Sequence, residues 1–370
     1  MNPACLDVAK HPIGMQSRVH HIKDLLNLGA SDVRSVGIYG MGGMGKTTLA
    51  KAVYNEICVA FQGSSFLSNL KESSEKPNGL VHLQEQLLND ILKKNLKIGH
   101  VDRGINIIKE RIRGKKVLVI LDDVDDFEEL HKLVEKQWLG QGSRIIVTTR
   151  DEHLLTQLEV DIKYKVEELN NWESLRLFSY HAFGMALPID DYQELSSSAV
   201  KYAGGLPLAL VVLGSFLKGR SIDEWKSKLE KLQRTPHDKI QKILRISFDS
   251  LDSSTKDIFL DVACFFVGMD KEYAIKILDG CNFSPGIGIP ILIQRSLVTI
   301  DYQNKLKMHN LIQDMGREIV CEESPKYPGK RSRLWFHKDV SNVLDNRAVR
   351  GICIYIHKHV HTHIHNIRVM

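Results

Sequence analysis

The segment Gly40-Met41-Gly42-Gly43-Met44-Gly45-Lys46-Thr47 constrains this chain more than any other. It fits G-x-x-x-x-G-K-[ST]. The glycines of such a loop let the backbone turn tightly, so that successive N–H groups converge on phosphate oxygens. The loop works between a buried strand and the start of a helix, whose dipole adds positive potential. Both neighbours are legible. Val33–Tyr39 is a short β-rich run, and KTTLAKAVYNEI carries apolar residues at helical spacing. Gly40, Gly42, Gly43 and Gly45 would form the cradle. Lys46 would neutralise the β- and γ-phosphates, and the Thr47 hydroxyl would ligate Mg²⁺. A merely flexible glycine loop is the bland alternative, and the strand–loop–helix context argues against it.

The run VLVILDDVDD, Val117–Asp126, supplies the partner. An apolar strand that ends in Asp122 and Asp123 puts carboxylates at the carboxyl edge of a sheet, beside the phosphate loop. Asp122 suits the Mg²⁺ shell and Asp123 suits positioning or activating an attacking water. Alone, these acids would read better as a helix cap. The next apolar run ends in Thr148-Thr149-Arg150, where an arginine can reach a γ-phosphate. Its alternative is pairing with the nearby acids.

Continuous apolar runs alternating with helical patterns predict a doubly wound parallel sheet, an α/β P-loop NTPase domain, over residues 1–168. Strands are expected at 33–39, 117–121 and 144–148, with a weaker one at 65–70. A helical bundle is expected over 169–238, capped at its start by Asn170 or Asn171 and interrupted at Gly204-Gly205. Pro207 reads as the first residue of an apolar helix. Over 239–322, helices followed by two short strands around 302–304 and a helix from about Leu311 to Cys321 suggest a winged helix. Ser254 with Asp257 resembles a capping box. Met308-His309-Asn310 by itself reads as a satisfied histidine at a strand-to-helix turn. Residues 323–350 are expected as a linker.

The tail 351–370 alternates almost strictly and carries His357, His359, His361, His363 and His365. It reads better as a translated dinucleotide repeat than as a strand or a metal-binding tract. No partner strand is identifiable, so its removal is expected to leave the fold unchanged.

Composition narrows the classes. With 43% hydrophobic and 26% charged residues the chain can bury a core, which excludes a mostly disordered protein. The longest apolar run, Leu206–Leu217, is about a dozen residues against the roughly 20 that a bilayer span needs. The six cysteines show no Cys-x-x-Cys spacing, so reduced core thiols are expected. A formal charge of +5 is too small and scattered to argue for nucleic acid.

The motifs together resemble one family, the NB-ARC module of plant intracellular immune receptors of the TIR type. HPIGMQSRV, GIYGMGGMGKTTLA, KKVLVILDDVDD, GSRIIVTTRD, GGLPLAL, LRISFDSLDSSTKDIFLDVACFF and MHNLIQDMGREIV follow in family order, and PGKRSRLW comes after them. Asp126 is typical of the TIR-type branch. The resemblance covers about residues 10–347, and neither a TIR domain nor leucine-rich repeats fall within it. It implies a nucleotide-operated switch of the STAND class, with ADP held in the resting state and ATP permitting oligomerisation. Ile13, Gly14 and Pro207 would line the adenine, and Gly43, Gly45, Lys46, Thr47 and Thr48 would hold the phosphates. His309 would contact the β-phosphate. At the next position the family usually has Asp, and Asn310 is expected to weaken the closed state by about a kcal/mol because a charge is lost. Homo- or hetero-oligomers with other immune receptors and a cytoplasmic location, with the nucleus also open, follow from the same resemblance. Two other functions stay open on the residues alone: a working ATPase, and a winged-helix DNA-binding regulator. The second is disfavoured because the helix at 309–321 carries Asp314 and Glu318 against Arg317.

Overall fold

The computed structural model describes residues 5–232, 236–281, 283–345, 352–355 and 366–369. It divides into two units, Met1–Pro188 with Gly205–Ser215, and Ile189–Gly204 with Phe216–Met370.

The first unit is built on five strands: β1 (Arg34–Tyr39), β2 (Gly63–Leu67), β3 (Val117–Val124), β4 (Arg144–Thr149) and β5 (Ile162–Lys165). They lie in the order β2-β3-β4-β1-β5, every pair parallel. Val, Ile and Leu fill β3 and β4 because both faces of these inner strands are buried. β5 escaped the sequence reading because it lies at the edge, half-buried, and shows no continuous apolar run. The expected doubly wound sheet is present. Its order puts β4 between β1 and β3, so the loops that leave these three strands open side by side at one edge.

A buried arginine fixes the opposite end of the sheet. Arg144 opens β4 and donates to the carbonyls of Leu26, Asn27, Ala30, Asp32 and Ser143. It thereby satisfies carbonyls that the end of helix Met15–Leu26 leaves unpaired. Helix Asn171–Phe183 starts as expected: the Asn170 side chain accepts from the Glu173 amide, and Glu173 accepts from the Asn170 amide. Helix Pro207–Leu217 begins at the proline.

The second unit contains a winged-helix arrangement. Helices Asp238–Asp249, Ser253–Asp261, Lys271–Asp279, Pro285–Gln294 and Asn310–Glu323 accompany an antiparallel pair, β6 (Thr299–Ile300) and β7 (Leu306–Lys307). The cap of Ser253–Asp261 is Asp252, whose carboxylate accepts from the Thr255 amide; the expected Ser254 cap is not formed. Asp252 sits one step outside the helix with extended φ/ψ, the geometry a cap requires. A π-helical turn, Val262–Phe266, follows. Gly316 packs so closely on it that a Cβ there would lie 2.6 Å from the Ala263 Cβ, and Gln313 donates to the Ala263 carbonyl at 3.0 Å.

Residues expected as a linker carry β8 (Arg333–Leu334) and helix His337–Asp345. β9 (Ile352–Tyr355) and β10 (Asn366–Val369) form an antiparallel pair, and β10 also pairs with β8. This corrects the expectation of a partnerless tail for Ile352–Tyr355 and Asn366–Val369, which join backbone ladders. The five histidines at 357–365 lie outside the described residues.

Arg333 anchors β8. It is buried, its Nε donates to Asp261 at 2.6 Å, and an Nη donates to Asp257 at 2.9 Å. Removing one partner of a buried ion pair strands the other charge. Arg333→Ala is therefore expected to destabilise the second unit by about 3–5 kcal/mol in chemical denaturation. Arg333→Met with Asp261→Leu should recover most of that loss.

Candidate functional site

The phosphate loop owes its path to three glycines. Gly40, Gly43 and Gly45 have φ of 146°, 83° and 87°, values that residues with a Cβ rarely adopt. At Gly43 a Cβ would also lie 2.8 Å from the Leu208 Cβ, and the Leu208 amide donates to the Gly43 carbonyl at 3.2 Å. The Gly-Leu-Pro-Leu segment thus packs directly on the loop. Pro207 is placed there by its neighbour Leu208, which the sequence reading did not single out.

Lys46 opens helix Lys46–Ile57 and is buried. Its Nζ donates to the carbonyls of Gly40 at 2.7 Å and Met41 at 2.9 Å. Burial, with Arg150 nearby, pulls its ammonium down to about 7, while Asp123 and Asp122 pull the other way. Thr47 and Thr48 are half-buried in the first turn.

The Asp122 carboxylate is fully buried. Thr47 Oγ1 donates to it at 2.9 and 3.1 Å, and Thr148 Oγ1 at 2.7 Å. Burial pushes its carboxyl up, and these two hydroxyls with the Asn69 backbone amide hold it back. Asp123 has a φ of 57°, at a register break between Leu121 and Val124. Its amide donates to Thr148 Oγ1 at 2.9 Å, and its carboxylate lies 3.7 Å from Arg150 Nε. The ends of β1, β4 and β3 therefore bring Lys46, Thr47, Asp122, Asp123 and Arg150 together, as the spacing predicts. Thr148 is the member that sequence reading missed, because a threonine in a β-rich run reads as strand.

The donor set fits Mg²⁺. A carboxylate and a hydroxyl converge, both hard oxygen ligands, and Mg²⁺ commonly takes one or two protein oxygens and completes its shell with phosphates and water. Among the described residues no group of three or more His, Cys, Asp or Glu could form an all-protein cage.

Ile13 and Gly14 sit where the chain enters helix Met15–Leu26, with Gly14 at a φ of 69°. They line a cavity of about 680 Å³ with Val19, Ala52, Asn55 and Trp172, and no phosphate-loop residue is among its lining.

His309 belongs to the second unit. Its Nδ1 accepts from the Leu311 amide at 3.2 Å, so the neutral ring carries its proton on Nε2, which lies 3.0 Å from the Gly204 carbonyl. It is the satisfied histidine of a strand-to-helix turn that the residues alone suggested. Asn310 Nδ2 donates to the Tyr202 carbonyl at 2.8 Å.

Fold and site together define a P-loop NTPase-like domain joined to a winged-helix domain. Residues 15–187 match the NB-ARC domain family, and residues 252–324 match the winged-helix domain of Roq1-like disease resistance proteins. The chain is 46% identical over 342 residues to disease resistance protein RPV1 of Vitis rotundifolia, covering 92% of this chain and 24% of that one. Against the TMV resistance protein N of Nicotiana glutinosa the identity is 40% over 351 residues, covering 93% and 30%. A Walker-type ATPase of Pyrococcus abyssi shares the fold, with a TM-score of 0.56 at 13% identity, covering 82% of this chain and 96% of that one. The chain carries an NB-ARC domain followed by a Roq1-like winged-helix domain, and the curated relatives it matches are plant resistance proteins. It spans about a quarter of the length of the first curated relatives it matches. Among the described residues no helix is long and apolar enough to cross a membrane.

The Asn310 bond adds a requirement that the expectation drawn from charge did not include, a donor facing the Tyr202 carbonyl. An aspartate cannot donate to the Tyr202 carbonyl and would bring two acceptors together. Asn310→Asp is expected to lower stability by about 0.5–1.5 kcal/mol, no less than Asn310→Ala, because the site is exposed and only one hydrogen bond is lost. Thermal unfolding of the three proteins side by side checks this.

Proposed function

We propose that this chain is the ADP- and ATP-binding switch of a STAND-class immune receptor, acting inside plant cells. In this reading ADP holds the off state, and ATP favours an on state that oligomerises with itself or related receptors. The observation that carries it is the convergence of Lys46, Thr47, Asp122, Asp123 and Arg150 at one sheet edge. Each has one task. Lys46 neutralises phosphate charge from beneath the loop, and Thr47 and Asp122 hold Mg²⁺, which screens the phosphates when bound. Arg150 senses a γ-phosphate. Asp123, whose carboxylate faces Arg150, orients water in what is at most slow hydrolysis. A nucleotide shifts such a switch only by binding its two arrangements unequally. The adenine contacts of Ile13, Gly14 and Pro207, the phosphate contacts of Thr48 and the role of His309 are part of the proposal and rest on the family resemblance. A cytoplasmic location rests on it too.

The test is to denature the purified chain and identify what is released. ADP is expected, and Lys46→Ala should abolish it; no nucleotide and no measurable ADP affinity would overturn the reading. The Lys46 environment adds a pH dependence. Phosphate binding requires the charged ammonium, which the buried site holds only below about 7. ADP affinity should therefore fall as pH rises from 7 to 9, by up to about tenfold per unit. Lys46→Arg cannot lose its proton in this range and should flatten the profile. Titration calorimetry across that range checks the sign.

A further inference from the structure

We propose that Thr148 is a positioning residue whose hydroxyl ties the Asp122 side chain to the Asp123 backbone and sets the two carboxylates as one unit. For its metal-binding arm this rests on the switch reading above.

A hydroxyl has one proton and two lone pairs. Thr148 Oγ1 spends the proton on Asp122 Oδ1 at 2.7 Å and turns a lone pair to the Asp123 amide at 2.9 Å. Thr148 is 1% exposed, so water does not compete for either bond. The strand order explains why this residue can do it. β4 lies between β1 and β3, and Thr148 sits opposite Ile38, two positions before the phosphate loop.

The backbone at Asp123 explains why it is needed. The register break between Leu121 and Val124 takes the Asp123 amide out of the regular ladder, and φ at Asp123 is 57°. A non-glycine residue keeps such a conformation only where its surroundings hold it. The Thr148 hydroxyl takes the amide that the ladder has released. Thr149 does something different: its hydroxyl accepts from the Asp151 amide and shapes the next turn. Two adjacent threonines thus divide the work, one facing the carboxylates and one the chain beyond β4. Valine at 148 would fill nearly the same space and do neither job. Serine would keep both bonds.

The test compares Thr148→Val and Thr148→Ser in the full chain by two readouts. In nucleotide-free protein, hydrogen exchange at the Asp123 amide should be about tenfold faster in Thr148→Val, the cost of one lost hydrogen bond, and unchanged in Thr148→Ser. With ATP, the gain in affinity on adding Mg²⁺ should fall about tenfold in Thr148→Val, with ADP affinity in EDTA unchanged and the gain restored in Thr148→Ser. A Thr148→Val protein that matches wild type in both readouts, or a serine variant as defective as valine, overturns the proposal. Wild-type protein that binds no nucleotide would overturn the switch reading, while the exchange readout still decides on Thr148. If valine does not fold, Thr148→Ala removes the same hydroxyl and carries both readouts.

Discussion

The site is organised around a carboxylate that water cannot reach. Asp122 is fully buried at the end of β3, and burial disfavours its charge. It can stay ionised only if neighbours donate to it. Thr47 does so from the phosphate loop, Thr148 from β4, and the Asn69 amide from beyond β2. A single buried charge thereby links four segments far apart in sequence. The same oxygens suit Mg²⁺, whose charge would offset the desolvation that the fold imposes.

Buried arginines play the corresponding part away from the site. Arg144 meets backbone carbonyls at the amino end of the sheet, and Arg333 meets Asp257 and Asp261 in the winged-helix unit. Guanidinium suits both places because its planar fork offers five donors at once. Neither was visible as a core residue in the sequence, where arginine reads as surface. Each can be buried because acceptors meet its guanidinium N–H groups.

His309 and Asn310 show how far a motif can be read. Their positions at the start of a helix after β7 were legible, and the family resemblance marked Asn310 as a departure from an expected acid. What the departure does was not. Charge arithmetic favours an acid at 310, whereas the Tyr202 carbonyl opposite requires a donor. The partner is over 100 residues away in the chain, and only folding supplies it.

The sequence alone determined the elements whose chemistry is local. Glycines at positive φ, a lysine and threonine opening a helix, apolar runs that must be buried, and a cap at Asn170 or Asn171 all depend on residues within a few positions of one another. Tertiary structure decided the rest. β5 gave no signal, because an edge strand lacks the apolar run that burial on both faces demands. Ile352–Tyr355 found a partner only through β10, which pairs in turn with β8. The order of strands, with β4 between β1 and β3, is a matter of how parallel strands cross over, and no local pattern encodes it. That order turned Thr148 from a strand residue into the bridge between Asp122 and Asp123, because a hydroxyl's partners are set by what the fold brings within 3 Å of it.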